Sequence, residues 1–162
     1  MSETTLNLSK NTHAIQTALL NKSIEFKVFQ FSESTHTAIE AAQAISCEIA
    51  QIIKSMIFKT HISQQPILVL ASGANRVNEK ILAEYVGEKI VKADADFTRE
   101  VTGFAIGGIP PIGHLQTIKT FVDEDLLQFK EVWAAAGTPH TVFSLNSAIL
   151  VELTSGTVIK IK

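Results

Sequence analysis

The sequence predicts a mixed α/β fold, a curved mixed β-sheet flanked by helices. Helix-period segments alternate along the chain with short β-branched or aromatic runs instead of being grouped apart. Pro66–Ala71 is apolar throughout, as in a strand buried on both faces. The strand-like segments between residues 118 and 145 follow one another tightly, which suggests antiparallel neighbours as well.

Taken in order, residues 1–8 form a loose polar start and 9–162 a folded domain. Ala14, Ile15, Ala18, Leu19 and Leu20 make a helical face after a cap at Ser9 or Asn11. Residues 24–31, with Ile24, Phe26, Val28, Phe29 and Phe31, suit a strand. Thr37 with Glu40 three positions on is a capping box, opening a helix through Ala44. Glu48–Thr60 begins as a helical turn and becomes a strand in which Lys54, Met56 and Phe58 share one side. This strand is expected to pair with 66–71. Asn78 caps a helix that Gly87 ends, Lys89–Val91 is a short edge strand, and Asp94 or Asp96 starts a helix that Gly103 terminates. Lys119–Val122 reads as a strand, Asp123-Glu124-Asp125 as a helix start, and Glu131–Ala135 as a strand before a turn at Gly137-Thr138-Pro139. Thr141–Leu145 is a strand, Asn146 caps a helix through Leu153, and Thr157–Ile161 is a last strand.

A chain of 162 residues suits one domain. Its 46% hydrophobic and 19% charged residues are those of a folding chain, not a disordered one. No apolar run reaches the roughly 20 residues of a membrane span, and the first residues lack a basic, then apolar, leader. A cytoplasmic location is expected, with no membrane partner. The single Cys47 excludes an internal disulfide. A net charge of −2, with Arg76 and Arg99 the only arginines, argues against an extended nucleic-acid footprint and against DNA, so any nucleic acid would be gripped locally.

The most distinctive stretch is Gly103–His114, with four glycines and the pair Pro110-Pro111 in twelve residues. Such a segment is a shaped loop. Phe104, Ile106, Ile109 and Ile112 should hold it against the core. It follows a helix, and no Lys-Ser/Thr comes after Gly107-Gly108, so nucleotide-binding loops are excluded. His13, His36, His61, His114 and His140 show no metal-ligand spacing. No Gly-x-Ser-x-Gly elbow is present, and Cys47 lacks an activating neighbour. Backbone N–H groups and one lysine can still hold a carbonyl oxygen and orient water for ester hydrolysis. On these residues alone, a tight crossover packed on the core and a Lys54 that snorkels to the surface explain the pattern too.

Thr37–Ala42, the segment Ile49–Lys59 with its Lys54-Ser55-Met56-Ile57-Phe58 strand, and Glu100–His114 with Gly-Phe-x-x-Gly-Gly-x-x-Pro-x-Gly occur in the order that resembles the YbaK/prolyl-tRNA synthetase-associated editing-domain family. The resemblance extends over nearly the whole chain. It implies a metal-free and cofactor-free deacylase of mischarged aminoacyl-tRNA, acting on the acylated 3′ end, with a synthetase as a possible partner and proline tRNA carrying a small wrong amino acid as substrate. It further implies that Lys54 orients the aminoacyl-adenosine end. Gly107 and Gly108 would offer amides to the ester carbonyl, and Phe29, Thr37, Ser55, Gly103, Pro110, Pro111, Gly113, His114 and His140 would contact or frame the substrate. His114 would brace the loop by a hydrogen bond to a loop carbonyl. Many relatives have Ser-Pro at Pro110-Pro111, so a hydroxyl is missing here. His140 corresponds to a histidine of relatives that remove alanine. The resemblance leaves two other readings, a non-catalytic tRNA- or synthetase-binding module and a hydrolase of other small aminoacyl esters.

Overall fold

The structure is a computed structural model that describes residues 9–31 and 37–162. The expected loose segment 1–8 and His36 lie outside the described residues.

Each helix begins at a side chain able to cap it. Helix α1 (Lys10–Asn21) starts where Ser9 accepts from the Thr12 amide, and α2 (Ala38–Ile45) where Thr37 accepts from the Glu40 amide. Asn78, Asp94 and Asn146 likewise cap α3 (Glu79–Val86), α4 (Ala95–Thr102) and α5 (Ser147–Thr154). Gly87 and Gly103 end α3 and α4 in left-handed conformations, with φ of 86° and 84°.

The strands are β1 (Lys27–Gln30), β2 (Ile53–Thr60), β3 (Pro66–Ser72), β4 (Ile90–Lys92), β5 (Lys119–Asp123), β6 (Glu131–Thr138), β7 (Thr141–Asn146) and β8 (Thr157–Ile159). The mixed-sheet α/β fold expected from the sequence is present, divided between two sheets. A five-stranded sheet runs β4-β2-β3-β5-β8, with β2 antiparallel to β3 and β4, and β5 parallel to β3 and β8. An antiparallel three-stranded sheet runs β1-β7-β6. The two meet at a parallel bridge between Ile52 and Trp133.

The main core lies between the sheets. Ile53, Ile57, Leu68, Leu70 and Val122 of one pack with Val132, Ala134, Phe143 and Leu145 of the other, and with Ile15 and Leu19 of α1. The opposite face of the five-stranded sheet buries Phe58, Ile67, Val69, Ala71 and Phe121 under Leu82 of α3. Covered on both faces, β3 needs the unbroken apolar run that the sequence shows. A third cluster joins Ala41 and Ala42 of α2 to Ile52, Trp133 and Val142.

Several boundaries differ from expectation. Gly137 and Thr138 belong to β6, whose register shifts between Ala135 and Thr138, so the turn is Pro139-His140. The shift arises because Gly137 takes a φ of 97° and α1 presses close, a Cβ there falling 2.8 Å from Asn11 Cβ. Asp123-Glu124-Asp125 does open a helix, a short 3-10 one over Glu124–Gln128, while the strand expected over 24–31 is confined to β1 and that expected over 157–161 to β8. Among the described residues no helix is long and apolar enough to cross a membrane.

Candidate active site

The glycine loop leaves α4 through Thr102, whose buried hydroxyl donates to the Thr98 carbonyl and accepts from the Phe104 amide. It returns to the same residue, since the Leu115 amide donates to the Thr102 carbonyl at 3.2 Å. Phe104 and Ile109 enter the main core and Ile112 packs on it, which fixes the loop. Ile106, expected on the core, is 60% exposed: the chain turns outward between Ala105 and Gly108, and the Gly108 amide donates to the Ala105 carbonyl at 3.0 Å.

This turn hangs over a cavity of about 170 Å³. A single water site needs only roughly 10–15 Å³, so a small organic group has room. Thr37 with Ala38 and Ala41 of α2 forms one wall, Ile52 with Ile53, Lys54 and Ser55 of β2 another, and Gly107 with Ile109 the roof. Trp133, Ala135, Thr138 and Val142 of the three-stranded sheet, with Pro139 of its β6–β7 turn, complete it. The lining is chiefly aliphatic and aromatic, with few polar groups.

Those groups differ in how they are used. Lys54 Nζ donates to the Asn75 carbonyl in the turn after β3. Burial lowers the Lys54 pKa from its ordinary value, Asp123 opposes the shift and Arg76 adds to it. Ser55, alternating to the face shared with Ile53 and Ile57, has a buried hydroxyl without a hydrogen-bond partner among the described residues. The Gly107 amide also has no partner among the described residues, whereas the Gly108 amide is occupied. Among the described residues, the site thus brings together a cation, a hydroxyl without a partner and an amide without a partner over an apolar floor.

A family model for the aminoacyl-tRNA editing domain matches residues 32–153. The chain belongs to this editing-domain family. A crystal structure described as a candidate trans-editing enzyme for prolyl-tRNA synthetase is 40% identical, with a TM-score of 0.90 over 96% of this chain and 99% of its own. The candidate Cys-tRNA(Pro)/Cys-tRNA(Cys) deacylase EbsC of Enterococcus faecalis is 25% identical over 139 residues, 82% of each chain. The proline–tRNA ligase of Limosilactobacillus fermentum is 34% identical over 95 residues, 56% of this chain but only 17% of the ligase.

Within this editing domain, the other residues singled out from the sequence fall in different places. Gly108 is buried behind the cavity wall, a Cβ there lying 2.9 Å from Thr138 Cα. Pro110 is buried, and its carbonyl accepts from His114 Nε2 at 2.7 Å, which fixes the proton on that nitrogen. Pro111, Gly113 and His114 line a separate open groove of about 420 Å³, with Leu153 and Thr154 across it. Gly103 ends α4 beneath the Leu115 side chain. Phe29 is 39% exposed on β1 and stacks at a tilt with Phe31. His140 is exposed at the β6–β7 turn, one residue beyond Pro139 of the cavity.

Burial raises the Cys47 thiol, and Glu131 and Glu48 add to this, so the thiol is held protonated. Among the described residues no group of three His, Cys, Asp or Glu side chains is placed to hold a metal ion. Sequence reasoning missed Trp133, Ala135 and Val142, whose strand pattern reads only as core, and it missed the support for Lys54 supplied by Asn75.

Proposed function

We propose that this editing domain is a trans-acting aminoacyl-tRNA deacylase. It hydrolyses the ester of mischarged tRNA, proline tRNA carrying a small wrong amino acid, by metal-free, substrate-assisted attack of water. The observation that carries this reading is the small apolar cavity bounded by Lys54 and Ser55 on one side and Gly107 on the other. The aminoacyl side chain would occupy the floor formed by Trp133, Ala135 and Val142, where size decides what enters. The Gly107 amide, without a partner among the described residues, would polarise the ester carbonyl. Gly108, its amide spent on Ala105, would hold the loop against β6.

Lys54 would orient the acylated 3′ end. Water attacks the carbonyl carbon, the bond from that carbon to the ribose oxygen breaks, and the ribose oxygen takes up a proton, releasing amino acid and tRNA. A terminal ribose hydroxyl would position the water, so the protein need supply no nucleophile. Pro110 brings a ring where relatives often bring a hydroxyl. His114 would brace the loop through Pro110, and His140 would meet substrate only near the mouth. A net charge of −2 fits recognition confined to the 3′ end, with a synthetase partner supplying tRNA selection.

The test is release of amino acid from a panel of mischarged tRNAs, with free aminoacyl esters alongside. Accelerated release from proline tRNA carrying alanine or cysteine is expected. Absence of acceleration on every tRNA would leave a binding module, and faster cleavage of free esters than of charged tRNA would make tRNA incidental.

A further inference from the structure

Asp123, at the end of β5, is 1% exposed and takes no part in the chemistry described above. Its Oδ2 accepts from the Ser72 amide at 2.9 Å and from Asn75 Nδ2 at 2.8 Å, while Oδ1 accepts from the Asp125 amide at 3.0 Å. A buried carboxylate is retained at a cost unless its lone pairs are used, and here they are used to hold one turn.

That turn is Ser72–Asn75, and every polar atom of Asn75 is committed. Its amide donates to the Ser72 carbonyl at 3.0 Å. Its Nδ2 also donates to Asp125 Oδ2 at 2.7 Å, and its Oδ1 accepts from Lys162 Nζ at 3.2 Å. The remaining atom, the carbonyl oxygen, accepts from Lys54 Nζ.

We propose that Asp123 is a positioning residue for Lys54, fixing the Ser72–Asn75 turn so that the Asn75 carbonyl holds the ammonium beside the cavity. The proposal deepens the deacylase reading and rests on Lys54 contacting the substrate there. Among the described residues, two charged side chains act on Lys54, Asp123 from β5 and Arg76 from the segment after β3. Asp125 and Lys162 lie one layer out, paired with each other at 3.3 Å and with Asn75. Burial favours the neutral amine, and among the described residues Asp123 is the carboxylate that favours the ammonium. The contacts that hold the turn thus extend as far as Lys162.

The test is Asp123→Asn, whose folding is checked by circular dichroism and melting. Trace acetylation with acetic anhydride, read by mass spectrometry across a pH series, reports the neutral fraction of Lys54 against exposed Lys22. Labelling of Lys54 near pH 8 should rise about threefold, as the neutral amine gains on the ammonium. In deacylation kcat should fall about tenfold or more with KM little changed, as expected for a misplaced group. Asn75→Ala, which keeps Asp123 but frees the turn, should show both effects and decides the matter if Asp123→Asn does not fold. Folded variants with Lys54 labelling equal to wild type would overturn the proposal, as would wild-type kcat. If the wild type cleaves no aminoacyl ester, the deacylase reading falls by itself, and labelling of Asn75→Ala, in which the Asp123 charge is kept, still decides whether the turn that Asp123 fixes positions Lys54.

Discussion

Gly108 and Thr138 touch backbone to backbone: a Cβ added at Gly108 would lie 2.9 Å from the Thr138 Cα and 3.1 Å from its carbonyl carbon. Neither atom can swing aside as a side chain could. Gly108→Ala should therefore displace the loop from β6 at a cost of about 1–3 kcal/mol. Gly107→Ala has open space, its nearest contact being Pro139 Cβ at 3.9 Å, but it must hold a φ of 93°. It should lose about 1–2 kcal/mol through the backbone alone. Urea unfolding of both variants checks this, and a Gly108→Ala protein as stable as wild type would show that the loop is not seated on β6.

Thr37→Ala should lower stability by about 1 kcal/mol, because the hydroxyl accepts from the Glu40 amide and caps the helix that walls the cavity. Thr37→Ser should recover most of the loss. Equal melting temperatures for wild type and Thr37→Ala would mean that the cap contributes nothing.

These two sites also show what can be read from one dimension. Caps are local chemistry, so Thr37, Asn78 and Asn146 mark their helices directly, and Ser9 and Asp94 are each one of the two caps the sequence offers. The glycine loop and Lys54 stood out because proline, glycine and a cation in apolar company break the local pattern. The division into two sheets did not show, because it depends on Ile52 meeting Trp133, a contact between residues 81 apart in the chain. The bulge at Gly137 was misread as a turn for a similar reason, since Asn11 of α1 presses on it. Trp133 and Val142 look like any strand core residue, and Asp123 was hidden at the head of an acidic run.

His114 gives the protein a pH dependence. Burial lowers its pKa from the ordinary 6.5, and the hydrogen bond to the Pro110 carbonyl opposes the shift. The unfolded chain therefore binds more protons than the folded one as pH falls through about 6.5. Stability from this group is intact above that window and is lost as pH falls through it. His114→Gln should flatten the decline in urea midpoint between about pH 7.5 and pH 5.5. An unchanged slope would show that His114 is not buried in its neutral form.

Ser55→Ala should separate stability from activity. Its hydroxyl is buried and has no partner among the described residues, so removing it should leave stability unchanged or raise it by about 1 kcal/mol. Deacylation should fall severalfold if substrate supplies the missing partner. Lower stability in Ser55→Ala would mean that the hydroxyl already serves the fold.

The most direct measurement is single-turnover deacylation of proline tRNA charged with alanine or cysteine by the wild type and by Lys54→Ala, with folding monitored in parallel. Ester hydrolysis at the cavity between β2 and the glycine loop predicts rapid release by the wild type and a rate near the uncatalysed one for a folded Lys54→Ala. Full activity in Lys54→Ala, or no release by the wild type from either tRNA, would contradict it.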